Sequence, residues 1–328
     1  MPGIDIVIPS YNYGRYLADC VESVRAQGID DLRILIIDNA STDDSREVAR
    51  RLAAMDRRIE LRLRDVNLGP HASFNEGVDW AASDYFAILC ADDLLAPKAL
   101  RRAMRAMEAN GNVHLAFGRT QFLAGERQPV EERSSVFLHP QIIAGLDLLN
   151  EFCATGRSPI GGPTAVVRTR VQKQAGHYRR ELAHTDDVEM WMRFCALGDA
   201  ARIDAVQVQA RIHPVNQSAV VSNVHKWNLE MEKAFDAFFK SCDPNVPDPE
   251  QLHRIARHSL ANRAYWCALS HAVRGEPGVL DLLKFAISRR PSLAVFPPLV
   301  SLLKRDDVSK RVAATLSAMR ARLNVREA

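Results

Sequence analysis

Over the first third of the chain, short runs rich in β-branched residues alternate with apolar residues at helical spacing, and few folds accommodate that alternation. Ile4 to Ile8, Leu32 to Ile37, Ile59 to Leu63 and Tyr85 to Leu89 read as strands, and their largely apolar character suits a parallel sheet covered on both faces. Between them Leu17, Cys20, Val21 and Val24 recur at helical spacing. Val48, Leu52 and Met55 do the same behind the cap candidates Thr42, Asp43 and Asp44. A third helix is expected after Pro97, with Leu100, Met104 and Met107 on one face and a stop at Gly111, before a strand at Val113 to Phe117. The order βαβαβαβ predicts an α/β fold with a doubly wound, mostly parallel sheet. In such sheets ligands bind beyond the carboxyl ends of the strands, so the loops beginning at Pro9, Asp38, Arg64 and Cys90 become the candidate site.

Further along, Gly118 to Gly162 has poor periodicity and reads as loops plus a short helix near Gly145 to Phe152. Thr164 to Arg168 reads as a strand. A helix from Asp186 to Leu197 turns Val188, Trp191, Phe194 and Cys195 inward and ends at Gly198. Helical segments follow near Trp227 to Phe239, Pro249 to Val273 and Gly278 to Ser288. The expected organisation is an α/β domain over residues 1–224, with one half to about 118 and a second beyond it, then a helical appendage over 225–328. No repeat or low-complexity tract appears.

With 43 Lys and Arg against 40 Asp and Glu, the net charge of +3 gives no overall basic field for nucleic acid. Six scattered cysteines without a CxxC pair fit a reducing cytoplasm. The start lacks a secretory signal, and Leu293 to Leu303 is too short and too broken by Pro297-Pro298 to span a bilayer.

Asp92 and Asp93 follow the apolar run Tyr85-Phe86-Ala87-Ile88-Leu89, which puts two carboxylates at the end of a buried strand. Unpaired charge is costly there. Mg²⁺ or Mn²⁺ would neutralise it, since such hard ions take one or two carboxylates with phosphate oxygens and water. A helix N-cap ahead of Pro97 is the other explanation. Asp38, directly behind Ile34-Leu35-Ile36-Ile37, is suited to accept an N–H from a nucleobase, while Thr42 and Asp43 fit capping. Pro9-Ser10-Tyr11-Asn12 adds an aromatic and an amide to the rim. Asn67-Leu68-Gly69-Pro70 continues it, with Asn75 and Gly77 behind, although turn chemistry accounts for Gly69 equally well. Neither GxGxxG after the first strand nor GxxxxGK[ST] occurs, so any phosphate must be held otherwise. Asp186 and Asp187 open a helix whose dipole favours negative charge and would keep them ionised near neutral pH. They fit capping, or a general base toward a hydroxyl. Arg211 suits a phosphate and His213 a metal.

In order, these segments resemble the inverting family 2 glycosyltransferases with the GT-A fold, over roughly residues 4–220. Ile6 to Asn12 is similar to the family's opening strand, Ile36 to Asp43 to its second nucleotide-contacting loop, and Asn67-Leu68-Gly69 to its third. Pro9, Tyr11, Asn12, Asp38, Asn67 and Gly69 are thereby implied as donor contacts. Cys90-Ala91-Asp92-Asp93 resembles the metal motif, which implies Asp93 as metal ligand and Asp92 as a contact to donor sugar or metal. The family often has another aspartate where Cys90 stands. The segments Gly176-His177-Tyr178 and Thr185 to Arg193, Trp191 included, resemble the acceptor-side block, in which Asp187 matches the catalytic base and Asp186 replaces a glutamate. Arg211 to Ser218 resembles the last block and implicates Arg211 and His213 at the metal or diphosphate.

The resemblance implies an enzyme that passes a sugar from a nucleotide-sugar donor to a hydroxyl of a glycan or lipid-linked saccharide, in bacterial surface polysaccharide synthesis. A sugar nucleotidyltransferase and a catalytically silent glycan-binding scaffold are the alternatives. The stripe Val308, Val312, Leu316, Met319 and Leu323, set among basic residues, fits either a helix packed on the domain or one docked on an anionic membrane.

Overall fold

The computed structural model describes residues 2–123, 139–212 and 223–300. His213, the rest of the block to Ser218 and the stripe from Val308 to Leu323 lie outside the described residues.

Strands β1 (Ile4–Ser10), β2 (Leu32–Asp38), β3 (Ile59–Leu63) and β4 (Tyr85–Ile88) form a parallel array in the order β3-β2-β1-β4. Pairing of β1 with β2 runs unbroken from Ile4–Leu32 to Ser10–Asp38, so both strands end level. The order continues through β8 (Val166–Arg168), β6 (Val113–Leu123), β9 (Asp199–Arg211) and β5 (Leu94–Leu95), with β7 (Gln141–Ile143) also on β9. β8 is antiparallel to both β4 and β6, and β9 is parallel to β6, while β5 and β7 oppose β9. Six of the nine strands formed by the described residues therefore point the same way.

Ile4, Ile6 and Ile8 alternate with Asp5 and Val7, so β1 presents opposite faces to two layers. On one face these isoleucines join Leu17, Cys20, Val21 and Val24 of α1 (Gly14–Arg25), Val48 and Ala49 of α2 (Ser45–Met55), and Leu100, Met104 and Met107 of α4 (Ala99–Glu108) in a single buried cluster. On the other, Val7 meets α3 (Pro70–Trp80) where only Gly77 fits, because a Cβ there would lie 2.7 Å from both Val7 methyls. The buried Asp5 carboxylate on that face accepts the backbone N–H groups of Ala82 and Ser83 behind α3, at 2.6 and 2.8 Å. Helices α5 (Gly145–Thr155), α6 (Thr169–Ala175) and α7 (Asp186–Leu197) follow. Val188, Trp191, Phe194 and Cys195 of α7 are buried, as their spacing implies.

Three sequence expectations are corrected. Pro70–Trp80 is a helix, with Pro70 in its first turn, where the pattern offered only a rim; its buried face includes His71, Ser73 and Asn75, polar residues that a hydrophobic period does not register. Thr42 and Asp43 do not cap α2, whose N-cap Asp44 makes no side-chain cap bond. Asp43 instead accepts N–H bonds from Gly14 and Ser45, tying the starts of α1 and α2 together. Asp92 and Asp93 do not cap α4 either, because β5 intervenes and the N-cap is Lys98.

Contacts divide the described residues into two compact units, one of 2–123, 139–149, 159–212 and 243–246, the other of 150–158, 223–242 and 247–300. The second unit is built largely of α8 (Val224–Lys240), α9 (Pro249–Arg274) and α10 (Val279–Arg289). Ala256, Ala261, Ala264 and Ala268 let α9 approach its neighbours closely, and Phe235, Phe238 and Phe285 fill the space beside it. Arg289 donates both arms of its guanidinium to the buried Glu232, at 2.9 and 2.7 Å. No helix among the described residues is long and apolar enough to cross a membrane.

Gly145, where α5 starts, sits against the backbone carbonyl oxygens of Cys195 and Gly198 at the end of α7. Backbone cannot step aside as a side-chain tip can, so Gly145→Ala is expected to destabilise the protein by about 3 kcal/mol. Urea denaturation measures this.

Candidate functional site

The level ends of β1 and β2, with the loop that leaves β4 opposite Val7, create one rim. After β1 the chain turns through Tyr11, 44% exposed, and Asn12, whose φ of 58° lies in the left-handed region that asparagine tolerates. After β2, Ala40 takes φ 64° without such tolerance, at a cost of about 1–2 kcal/mol. Side chains lock the two turns together: Asn12 N–H donates to Ser41 Oγ at 2.9 Å, and Asn12 Oδ1 accepts from Thr42 N–H at 2.8 Å.

Asp38 ends β2 fully buried. Its Oδ1 accepts the Ser41 N–H at 3.0 Å, with Arg46 Nε 4.0 Å away, whereas Oδ2 is buried without a hydrogen-bond partner. Leaving a buried carboxylate oxygen without a donor carries a desolvation cost. Asn39 organises the third segment: its Oδ1 accepts from Arg64 Nη1 and Leu68 N–H at 3.1 and 3.0 Å, and its Nδ2 donates to Asn67 Oδ1 at 2.7 Å. Gly69 follows at φ 79° as the N-cap of α3, a conformation favouring glycine.

Asp92 and Asp93 lie beyond β4, each 6% exposed. Burial, reinforced by Asp92, raises the Asp93 carboxyl well above the usual range. Asp93 Oδ1 accepts the Arg211 N–H at 3.2 Å, so the end of β9 closes onto this loop. The Arg211 guanidinium lies 4.8 Å from the Tyr16 ring centre and 3.4 Å from Asp19 of α1. Tyr13, just ahead of α1, has its phenol raised well above the normal value by burial and then by the neighbouring carboxylates of Asp92 and Asp93.

Cys90, Asp92 and Asp93 each offer a ligand atom, all within 4.8 Å of one another. The Cys90 thiol is itself raised by burial and by Asp93 and Asp92, and Asp187 adds to the effect, which brings the start of α7 within electrostatic reach of the carboxylate loop. A Cβ on Gly162 would stand 3.5 Å from Asp187 Oδ2, so the turn at 161–162 also flanks this carboxylate. Asp187 is pushed up to about 7 by burial and then by Asp186, against the helix dipole that favours its charged form. Asp186 is shifted the same way, again by burial first, and its Oδ2 lies 3.5 Å from His71 Nε2.

Of the residues implicated from sequence, Pro9, Tyr11, Asn12, Asp38, Asn67 and Gly69 line the rim, while Asp92, Asp93, Arg211 and Asp187 gather about the β4 loop. Trp191 is 3% exposed, its indole packed in the interior. Tyr13, Tyr16, Asn39, Arg46 and His71 were missed. Asn39 lies inside the segment Ile36 to Asp43 and Tyr13 directly follows Ile6 to Asn12, so both were findable on that ground, but Tyr16 and His71 meet Arg211 and Asp186 only through the fold.

Residues 5–158 match the family model described as Glycosyl transferase family 2. Over those residues, just under half of the chain, the sequence carries that family's pattern. The chain is 31% identical over 119 residues to the GalNAc(5)-diNAcBac-PP-undecaprenol β-1,3-glucosyltransferase of Campylobacter jejuni, covering 36% of this chain and 38% of the relative. Its fold is similar to that of S. aureus TarS 1–349 in complex with UDP-GlcNAc, at TM-score 0.62 and 14% identity, over 97% of this chain and 89% of that one. It is also similar to the mannosyltransferase PcManGT of Pyrobaculum calidifontis in complex with GDP-Man and Mn²⁺, at TM-score 0.59 and 17% identity, over 98% and 86%. At such identities the likeness to the two structures is one of fold, and that fold is GT-A. The chain spans between 30% and 72% of the length of the curated relatives compared with it.

Asn39→Ala removes three hydrogen bonds at a residue only 5% exposed. A loss of about 2 kcal/mol in unfolding free energy is expected, together with faster hydrogen exchange at the Leu68 amide, whereas an Asn39 that only fills space would leave that amide protected.

Proposed function

We propose that this protein moves a sugar from a nucleoside-diphosphate donor to a hydroxyl of a glycan or lipid-linked saccharide, with inversion at the anomeric carbon. The observation carrying this reading is Asp187: a half-buried carboxylate at the start of α7, flanked by the turn at Gly162, with its proton affinity raised to about 7 and its charge felt at Cys90. A carboxylate of that affinity both takes and gives up a proton near neutral pH, as a general base requires.

Asp38 Oδ2, buried and unpartnered, would accept an N–H of the donor's base, with Tyr11 and Asn12 beside it on the rim and Asn67 and Gly69 closing the far side. Asp187 would accept the proton of the acceptor hydroxyl as its oxygen bonds to the anomeric carbon. The bond from that carbon to the diphosphate oxygen breaks on the opposite face, its electron pair leaving with the nucleoside diphosphate, so the configuration inverts. Arg211 would meet the diphosphate charge, since its backbone is anchored at Asp93.

The side chains fit a divalent ion: two buried carboxylates that repel one another lie with Cys90 inside a span of 4.8 Å, and a cation removes the cost of ionising both. Asp93 would hold Mn²⁺ or Mg²⁺ with Asp92 on the ion or the donor sugar, and His213 is assigned beside them on the family resemblance alone. Such an ion supplies positive charge to the departing diphosphate. The relative whose name contains PP-undecaprenol supports a lipid-linked acceptor and polysaccharide synthesis, and the two solved structures support a nucleotide-sugar donor.

Asp187→Asn is expected to lower turnover by about 10²–10⁴-fold while leaving nucleotide- and Mn²⁺-dependent thermal stabilisation in place. Unchanged turnover would remove Asp187 from the mechanism, and no donor turnover by the wild type with any acceptor would favour the scaffold reading. Because the base must be ionised, turnover should fall as pH drops through about 7, against roughly 4 for an ordinary carboxylate. A profile of kcat against pH tests the sign. Asp93→Ala should abolish the metal-dependent part of the thermal shift produced by nucleoside diphosphates.

A further inference from the structure

Helix α3 joins the donor rim to the segment that carries Asp187. Its N-cap is Gly69, whose N–H donates to Asn67 Oδ1, the atom that also accepts from Asn39. From there its buried face runs along the chain that leads into α7. Asn75 pairs with both backbone groups of Tyr178, donating from Nδ2 to the carbonyl at 3.1 Å and accepting the N–H at Oδ1 at 2.8 Å. Phe74 meets the Tyr178 ring edge-on, with centroids 5.6 Å apart. In the first turn, two residues past Gly69, His71 faces Leu182 and Asp186. His71 is 9% exposed and Asp186 8%, and a side chain needed only to fill that space would not have to be polar.

The partners of His71 fix its tautomer. The Leu182 carbonyl oxygen, 3.2 Å from Nε2, can only accept, so Nε2 carries the hydrogen. Burial lowers the imidazole below its ordinary titration range, with Arg180 adding to the effect and the Leu182 bond and Glu181 opposing it, so the ring is uncharged near neutral pH. Asp186 Oδ2 lies 3.5 Å from the same nitrogen. The positive end of an N–H dipole, held by a backbone carbonyl, therefore stands beside a carboxylate whose proton affinity is raised first of all by burial. Asp187 is the next residue, and the charge of Asp186 raises its affinity in turn. What steadies Asp186 against α3 thus acts on Asp187 in both place and charge.

We propose that His71 is the positioning residue of the general base: from the first turn of α3 its Nε2–H steadies the Asp186 carboxylate, and through Asp186 it sets Asp187 relative to the donor rim where α3 begins. This rests on the reading of Asp187 as the base, and its test lets either fail without the other.

His71→Leu keeps apolar volume and removes the N–H, whereas His71→Gln offers an amide N–H in place of Nε2–H. With folding checked by circular dichroism and melting temperature, His71→Leu is expected to lower kcat by about tenfold with the donor KM unchanged, and His71→Gln to recover most of the loss. The pH profile of kcat reads the link to Asp187. The groups facing His71 are Asp186, Arg180 and Glu181; around Asp186 stand Asp187, the Tyr178 phenol and Glu189, itself paired with Arg179 and Arg193. Without the N–H, Asp186 keeps its proton to higher pH, and a neutral Asp186 no longer raises Asp187. The acid limb of His71→Leu therefore moves below the wild-type limb at about 7. A kcat lowered equally at every pH, with the limb in place, would show a merely structural residue and overturn the proposal, as would a glutamine variant no better than the leucine one. Nitrogen NMR of the wild type reads the contact without turnover and without a variant of His71. His71 should appear as the Nε2–H tautomer, with a step at about pH 7 as Asp186 ionises that Asp186→Asn removes. An Nδ1–H tautomer, or a step that survives Asp186→Asn, would also overturn the proposal. Full turnover by Asp187→Asn removes the base and leaves the NMR step in place, whereas an inactive Asp187→Asn beside an unimpaired His71→Leu removes the positioning role alone.

Discussion

Unbroken parallel pairing of β1 with β2, from Ile4–Leu32 to Ser10–Asp38, and of β1 with β4, from Ile4–Tyr85 to Val7–Ile88, is the constraint on which the α/β unit depends. Side chains alternate along a strand, so a slip by one residue would turn Ile4, Ile6 and Ile8 out of their buried cluster and drive Asp5 into it. The apolar faces therefore hold the register, and the register in turn sets Ser10, Asp38 and the start of the Cys90 loop side by side. A polar rim thus results from the hydrophobic packing beneath it.

On that rim the same burial that stabilises the sheet works against charge. Asp93 and the Asp186–Asp187 pair are raised because desolvation is the largest influence on each. The two places differ in what would relieve them. At the β4 loop two carboxylates and Cys90 crowd within 4.8 Å, a repulsion that a cation would relieve, whereas Asp187, at a helix start with the turn at Gly162 beside it, is relieved by binding a proton.

The departure at Cys90 takes on a physical meaning in this setting. An aspartate there would add a third carboxylate to a loop where Asp92 already raises Asp93. A thiol that burial keeps neutral adds no such repulsion. The loop thus holds its fold with two acids, and Tyr13 and Arg211 close around it from α1 and β9.

Much of the fold was legible in the chain because strands buried on both faces write themselves as apolar runs, and amphipathic helices as a period. Ile59–Leu63 and Asp186–Leu197 coincide with the segments their patterns delimit, and Asp38 and Asp92-Asp93 stood out as charges at the ends of such runs. Helix α3 did not, since its buried face is lined by His71, Ser73 and Asn75, whose burial is justified by partners such as the Leu182 and Tyr178 carbonyls more than a hundred positions away. By itself the sequence determined the alternation of elements, the polar strand ends and the family motifs, because these rest on local pattern and spacing. Only the tertiary structure decided that Asp93 receives the Arg211 N–H, that Asp38 keeps one oxygen free, and that Asp187 lies beside the turn at Gly162 with its proton affinity raised. Desolvation and hydrogen bonding belong to the surroundings of a side chain, and those surroundings are assembled from residues far apart along the chain.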